Sequence, residues 1–307
     1  MSNAHGHAGR GSCRSLALWA ALGVAGGAAC SRSALVVLAA DAAPGCRTVE
    51  QDLTRFPAEL LVVLDRSRSM GRQLPGMSNT LFQDVVAALD ETAGSTAGVV
   101  RFGLKLFPTV GGCEVADGVE VVPQDDPGAM RATLRAATTV TMGGGGSPIQ
   151  GAVRRATAYV RQHRTQKLQY LVLATDGAPT CGATSAGDDT EGTVQALRDA
   201  AVQGLHTFVV GIAIEGSKQQ AALDQMAVAG GEPRAGAKRY ASALDRQELS
   251  AALAPIVSYV SCSLPLPGAA FPTDAIVIAL DGQAVPRATR ATAATAGGST
   301  RRAIRSR

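Results

Sequence analysis

Asp65-Arg66-Ser67-Arg68-Ser69 places two hydroxyls at alternate positions behind a carboxylate, Ser147 follows the run Gly143 to Gly146, and Asp176 stands directly before Gly177. Two carboxylates and three hydroxyls, with no Cys or His among them, form a hard, all-oxygen donor set. Such a set suits Mg²⁺, Mn²⁺ or Ca²⁺ and disfavours zinc and copper. It also leaves a divalent cation short of ligands, so an Asp or Glu from a partner protein could complete the coordination and the metal would join the two proteins. Each piece also has a plainer reading. Ser147, with Pro148 after it and Gln150 three residues on, is a complete helix-start signature. Asp65-Arg66-Ser67 suits a strand-end turn, and Asp176-Gly177 a turn whose carboxylate accepts backbone N–H bonds.

What must position these residues is legible in the apolar pattern. Residues 58–65 (AELLVVLD) and 170–177 (YLVLATDG) are short apolar runs, each reaching an acid at or near its end, as strands buried on both faces of a parallel sheet do. Leu81, Phe82, Val85, Val86 and Leu89 recur at helical spacing, and so do Ile149, Val153, Ala156 and Val160. The same reading predicts a strand over 99–107, a helix over 130–137 and a helix over 190–203. It continues with a strand over 206–214, a helix over 217–229, a short strand near 239–241 and a helix over 245–260. Ser217 with Gln220, and Asp245 with Glu248, have the spacing of capping boxes. Alternation of this kind predicts an α/β fold, a doubly wound and mostly parallel sheet flanked by helices. Ligands of such sheets bind beyond the carboxyl ends of the strands, which is where all five candidate residues fall.

In this order, DRSRS, GGGGSP and ATDG resemble the metal-ion-dependent adhesion site of von Willebrand factor A domains, and the resemblance extends over about residues 56–261. It implies that Ser67, Ser69 and Ser147 contact the metal directly, and that Asp65 and Asp176 act directly or through water. Ser147 stands where the family usually has Thr, which keeps the hydroxyl, and Arg68 stands where Gly is common. The wider pattern is similar to exported members of the family from myxobacteria-like bacteria. That similarity implies a Cys113–Cys181 disulfide beside the metal loops and a Cys46–Cys262 disulfide that closes the domain at its base.

Charge and cysteine usage narrow the class. Of the 29 Lys and Arg, two lie in residues 1–29 and six in residues 287–307, segments without an acid, which leaves 21 against 25 acids between them. A mildly acidic body with a single Trp, Trp19, argues against nucleic acid as a partner. Arg10 and Arg14 before the apolar run Leu16 to Ala29 read as an export signal, too short to span a bilayer alone. Small residues before Cys30 resemble a lipobox with Gly27 in the usual Leu position. Lipidation at Cys30, cleavage after Ala42 and an uncleaved anchor are the three routes, and all place the body outside the cytoplasm, in the periplasm or at the cell surface. Four further cysteines without CxxC spacing agree with an oxidising compartment. The expected organisation is a signal over 1–29, a linker over 30–55, the domain over 56–261, a short extension over 262–286 holding one strand near 275–280, and a disordered Arg-rich tail over 287–307.

Catalytic patterns fare poorly. Ser67 occupies the position where a phosphoaspartyl transferase of DxDx[TV] type needs an acid, no GK[ST] follows the glycine run, and Ser147 is not in GxSxG. His163 and His206 show no acid partner in the sequence. The expectation is a non-enzymatic module that binds a protein through Mg²⁺, Mn²⁺ or Ca²⁺. The alternatives are a structural or assembly component with a degenerate site and a metal-chelatase-type subunit working with an ATPase.

Overall fold

A computed structural model describes residues 34–40, 46–52, 57–139, 146–182, 187–261, 276–280 and 283–284, the first two and last two of these segments as backbone strands only. In chain order the elements are β1 (Ala34–Ala40), β2 (Cys46–Asp52), β3 (Ala58–Asp65), a 3₁₀ turn (Arg68–Gly71), α1 (Leu81–Ser95), β4 (Val100–Phe107), β5 (Val121–Gln124) and α2 (Gly128–Ala136). They continue with α3 (Ile149–Gln162), β6 (Gln169–Thr175), α4 (Thr190–Val202), β7 (His206–Ile212), α5 (Ser217–Ala229), β8 (Ala241–Ala243), α6 (Arg246–Ser261), β9 (Ile276–Leu280) and β10 (Gln283–Ala284).

Six strands form one sheet in the order β5-β4-β3-β6-β7-β8, parallel throughout except for the antiparallel edge strand β5. The expected doubly wound α/β architecture is therefore present. Every residue of β3 is buried, because side chains alternate across a sheet covered on both faces. Leu60, Val62 and Leu64 pack in one core with α1 and α6, where Leu89 and Leu253 meet them. Leu61 and Val63 point into a second core with α3, α4 and α5, through Val153, Leu197 and Leu223. The chain leaves β3 in one direction to β4 and returns on the other side as β6, so the switch point of the sheet lies between β3 and β6.

Some local expectations give way. Ser217 does not cap α5; the cap is Gly216 at φ +82, a conformation that favours glycine. Thr80 and Gln83 instead form a complete capping box at α1. At α6 the Glu248 N–H does reach Asp245 Oδ1 at 2.8 Å, but the Glu248 carboxylate returns to the Leu244 N–H rather than to Asp245. The short strand falls at Ala241–Ala243, just beyond the expected position.

Strands of a separate unit fall in both flanks. Residues 30–55, expected as a linker, hold β1 and β2, which pair antiparallel from Ala34 opposite Asp52 to Ala40 opposite Cys46. The strand of the 262–286 extension, β9, pairs antiparallel with β1, and β10 pairs with β9. The result is a four-stranded sheet ordered β10-β9-β1-β2, a unit of its own. The signal segment, Cys30 and the tail lie outside the described residues. No helix among the described residues is long and apolar enough to cross a membrane.

Candidate metal centre

Asp65 is the last residue of β3, and Thr175 and Asp176 end and follow β6, its parallel neighbour. The sheet therefore brings both carboxylates to one end at its switch point. Asp65 is fully buried, and its carboxylate organises the three loops. Oδ1 accepts the Ser67 N–H at 2.8 Å, while Oδ2 accepts the hydroxyls of Ser147 at 2.6 Å and Thr175 at 2.7 Å. Ser69 Oγ donates to Asp176 Oδ1 at 2.8 Å, and Ser67 Oγ lies 3.1 Å from Ser69 Oγ. A hydroxyl has one proton. Because Ser69 gives its own to Asp176, the Ser67 proton goes to Ser69 or to the Asp65 carboxylate, which its side chain also reaches. All three serine hydroxyls thus bond within this cluster of loops.

The capping reading of Ser147 does not hold. Pro148 occupies the cap of α3, no side chain bonds the helix start, and the Ser147 hydroxyl reaches instead to Asp65, 82 positions away in sequence. The turn readings of Asp65 and Asp176 are incomplete for the same reason, since each carboxylate accepts from a residue distant in the chain.

Burial dominates the electrostatics of both carboxylates. Burial pushes the Asp65 carboxyl above the usual range, against the hydrogen bonds from Ser147, Thr175 and Ser67. Asp176 is pushed up to about 6, first by burial and then by the charge of Asp65, outweighing the Ser69 hydrogen bond and the Arg72 guanidinium. Asp176 Oδ2 is buried and accepts no hydrogen bond among the described residues. Arg72 Nε approaches it only to 3.7 Å, while Arg72 Nη2 is held by the Ala213 carbonyl at 2.9 Å and Nη1 lies 3.8 Å from Glu215. An orphaned carboxylate oxygen in a cluster with three serine hydroxyls fits a hard divalent cation. Among the described residues, no three His, Cys, Asp or Glu side chains gather as a metal cluster. The serines are therefore essential to any site here.

Arg68 is accommodated without a glycine. It opens the 3₁₀ turn, its side chain is exposed, and the only described non-glycine residues at positive φ are Cys181 and Ala213. Arg68→Gly is therefore expected to leave Mn²⁺ affinity within about threefold of the parent, a change of under about 0.7 kcal/mol; titration calorimetry on the two proteins checks this.

Three contributors went unseen in the sequence: Thr175, Arg72 and Thr180, whose Oγ1 accepts the Ser147 N–H at 2.7 Å. Of these only Thr175 leaves a signal, a hydroxyl at the end of an otherwise apolar strand. The Cys113–Cys181 disulfide is present. Cys262 lies outside the described residues and only the backbone of Cys46 is described, so their pairing stays an expectation. His206 does have an acid neighbour, Glu232 at 3.3 Å, but it starts β7 and so lies at the opposite end of the sheet. A cavity of about 190 Å³ opens at that same end. Its buried carboxylate, Glu59, is already paired with Arg101 at 2.8 Å and accepts from Gln169 at 2.8 Å.

Residues 60–178 match the family described as von Willebrand factor type A domain, and the six-stranded unit has that fold. No curated protein matches the chain. Among solved structures it is similar to the pilus adhesin SpaC of Lactobacillus rhamnosus GG in its open conformation, with 16% identity and a TM-score of 0.52 over 67% of this chain and 30% of SpaC. It is also similar to the PilB minor pilin of Streptococcus sanguinis, with 15% identity and a TM-score of 0.51 over 71% of this chain and 66% of PilB. The chain thus spans less than a third of SpaC and just under two thirds of PilB. At these identities the likeness is one of fold.

Proposed function

We propose that this chain is an exported, non-catalytic protein-binding module that grips an acidic side chain of its partner through a divalent cation. Mg²⁺, with Mn²⁺ or Ca²⁺ as substitutes, would be held by Asp65, Ser67, Ser69, Ser147 and Asp176. The observation that carries this reading is the pair of buried carboxylates at adjacent strand ends, each accepting a serine hydroxyl from another loop. A cation held there would supply the positive charge that attracts a partner carboxylate. The chain's own residues do the rest. Asp65 orients Ser67 and Ser147, Ser69 orients Asp176, and Arg72 keeps a guanidinium on the rim where a partner acid would arrive. The names of SpaC, an adhesin, and PilB, a pilin, support an adhesive role outside the cytoplasm, as do the signal-like amino terminus and the disulfide. Attachment through a lipidated Cys30 belongs to the same reading.

The test is titration of the oxidised full chain with Mg²⁺ and Mn²⁺, followed by retention of synthetic Glu-bearing peptides and their Gln counterparts on the immobilised protein. Saturable metal binding, with Glu peptides retained in Mn²⁺ and released by EDTA, is the expected result. No metal heat, or retention indifferent to EDTA, would overturn the reading in favour of an assembly component with a degenerate site.

A further inference from the structure

Ser147 is the one proposed ligand that neither a strand end nor a helical turn holds. It precedes α3 without capping it, and its hydroxyl must meet Asp65 from across the sheet end. Thr180 holds its backbone on both sides. The Ser147 N–H donates to Thr180 Oγ1 at 2.7 Å, and the Thr180 N–H donates to the Ser147 carbonyl at 3.0 Å.

Thr180 is fixed in turn by its neighbour. Cys181 is bonded to Cys113, and a Cβ placed on Gly146 would overlap the Cys181 sulfur and lie 3.1 Å from the Cys113 sulfur. The disulfide therefore lies directly against the backbone that precedes Ser147. Its far end is anchored as well. The Thr109 N–H reaches the Glu114 carbonyl at 2.8 Å, the Ala116 N–H reaches Thr109 Oγ1 at 2.6 Å, and the buried Lys105 of β4 donates from Nζ to the Ala116 carbonyl at 2.9 Å. Fixed contacts thus run from β4 through Cys113, Cys181 and Thr180 to Ser147.

We propose that Thr180 is a positioning residue for the metal centre, that the Cys113–Cys181 disulfide holds it in place, and that divalent-metal affinity therefore depends on the redox state of that bond. The proposal rests on the reading of Ser147 as a metal ligand. A ligand set works only when its members are held to within about half an ångström, and once the cross-link opens, the Thr180 loop must be ordered at an entropic cost each time a cation binds.

Two measurements on the full chain test it: amide exchange of the Ser147 segment in EDTA, and Mn²⁺ affinity by calorimetry. Both compare the oxidised protein, protein treated with a water-soluble phosphine, Thr180→Val and Thr180→Ser. The phosphine converts the S–S bond to two thiols as it takes oxygen from water to become its oxide. The Val variant, which loses one net hydrogen bond, and reduction, which frees the Thr180 loop, are each expected to speed exchange around Ser147 about tenfold and to weaken Mn²⁺ about tenfold, with β3 and α1 unchanged. The Ser variant, which keeps the acceptor, restores both. If the reduced chain unfolds, α1 reports it and the Thr180 pair, with the disulfide intact, still decides. Unchanged exchange in the Val variant overturns the positioning role, and unchanged Mn²⁺ affinity on reduction of a folded chain overturns the redox dependence. Exchange that responds in a chain giving no Mn²⁺ heat would sink the metal reading while supporting the positioning of Ser147.

Discussion

Asp65→Ala is expected to abolish Mn²⁺ binding, with a loss of at least about a hundredfold, because this one carboxylate is itself a proposed ligand and orients two others, Ser67 and Ser147. It is fully buried and accepts from Ser67, Ser147 and Thr175. Its loss frees two hydroxyl protons that otherwise point inward, so the Ser147 oxygen no longer faces the cation in a fixed direction. Asp65→Asn should do nearly as much damage: its NH₂ would meet hydroxyls already acting as donors, and its charge is gone. The clearest readout is thermal. A cation at a hundred times its Kd stabilises the native state by about 2.7 kcal/mol, which raises Tm by roughly 5–10 °C for a domain of this size. The parent should show that rise on adding Mn²⁺ to chelated protein and Asp65→Ala should show none. In EDTA the two should differ less, because the unsatisfied donors left behind are offset by relief from a buried, poorly solvated charge. A Tm rise with Mn²⁺ that survives in Asp65→Ala would place the metal elsewhere.

The parts legible in the sequence are those decided by local pattern. β3 is readable over Ala58–Asp65 because a strand covered on both faces carries an unbroken apolar run, here Leu60 to Leu64. β5 was not readable, since four residues including Pro123 at a sheet edge carry too little pattern. β1 and β9 are ordinary apolar runs, and nothing within either announces a partner some 240 positions away. The same limit divides the site. Ser147 carries a full helix-start signature, and only the distant Asp65 shows that its hydroxyl is used otherwise. Arg72 and Thr180 have no local mark at all, because their roles exist only once Ala213 and Ser147 stand beside them. The motif order could be read from spacing, but the direction of each hydroxyl proton follows from the assembled sheet end.

That assembled charge leads to the second large effect, Asp176→Asn, whose sign depends on both pH and metal. Burial and the neighbouring Asp65 raise the Asp176 carboxyl to about 6, above the 3.8 of an unperturbed one. A raised carboxyl means that the folded state binds the proton more tightly than the unfolded chain. Stability is therefore lost as pH rises from about 4 through 6, and above that the ionised group costs the metal-free fold on the order of 3 kcal/mol. Asn keeps an oxygen to accept from Ser69 and carries no charge. In EDTA, Asp176→Asn should accordingly be more stable than the parent at pH 7.5 by several degrees in Tm, and the difference should vanish near pH 4. In Mn²⁺ the order should reverse, because the cation favours the ionised carboxylate and the variant cannot hold it. A carboxylate that served only a turn would make the variant weaker in both solutions, so parallel curves in EDTA and Mn²⁺ would remove Asp176 from the metal centre. The reversal is the signature of a group kept at a cost to the empty fold because its charge is needed when the cation arrives.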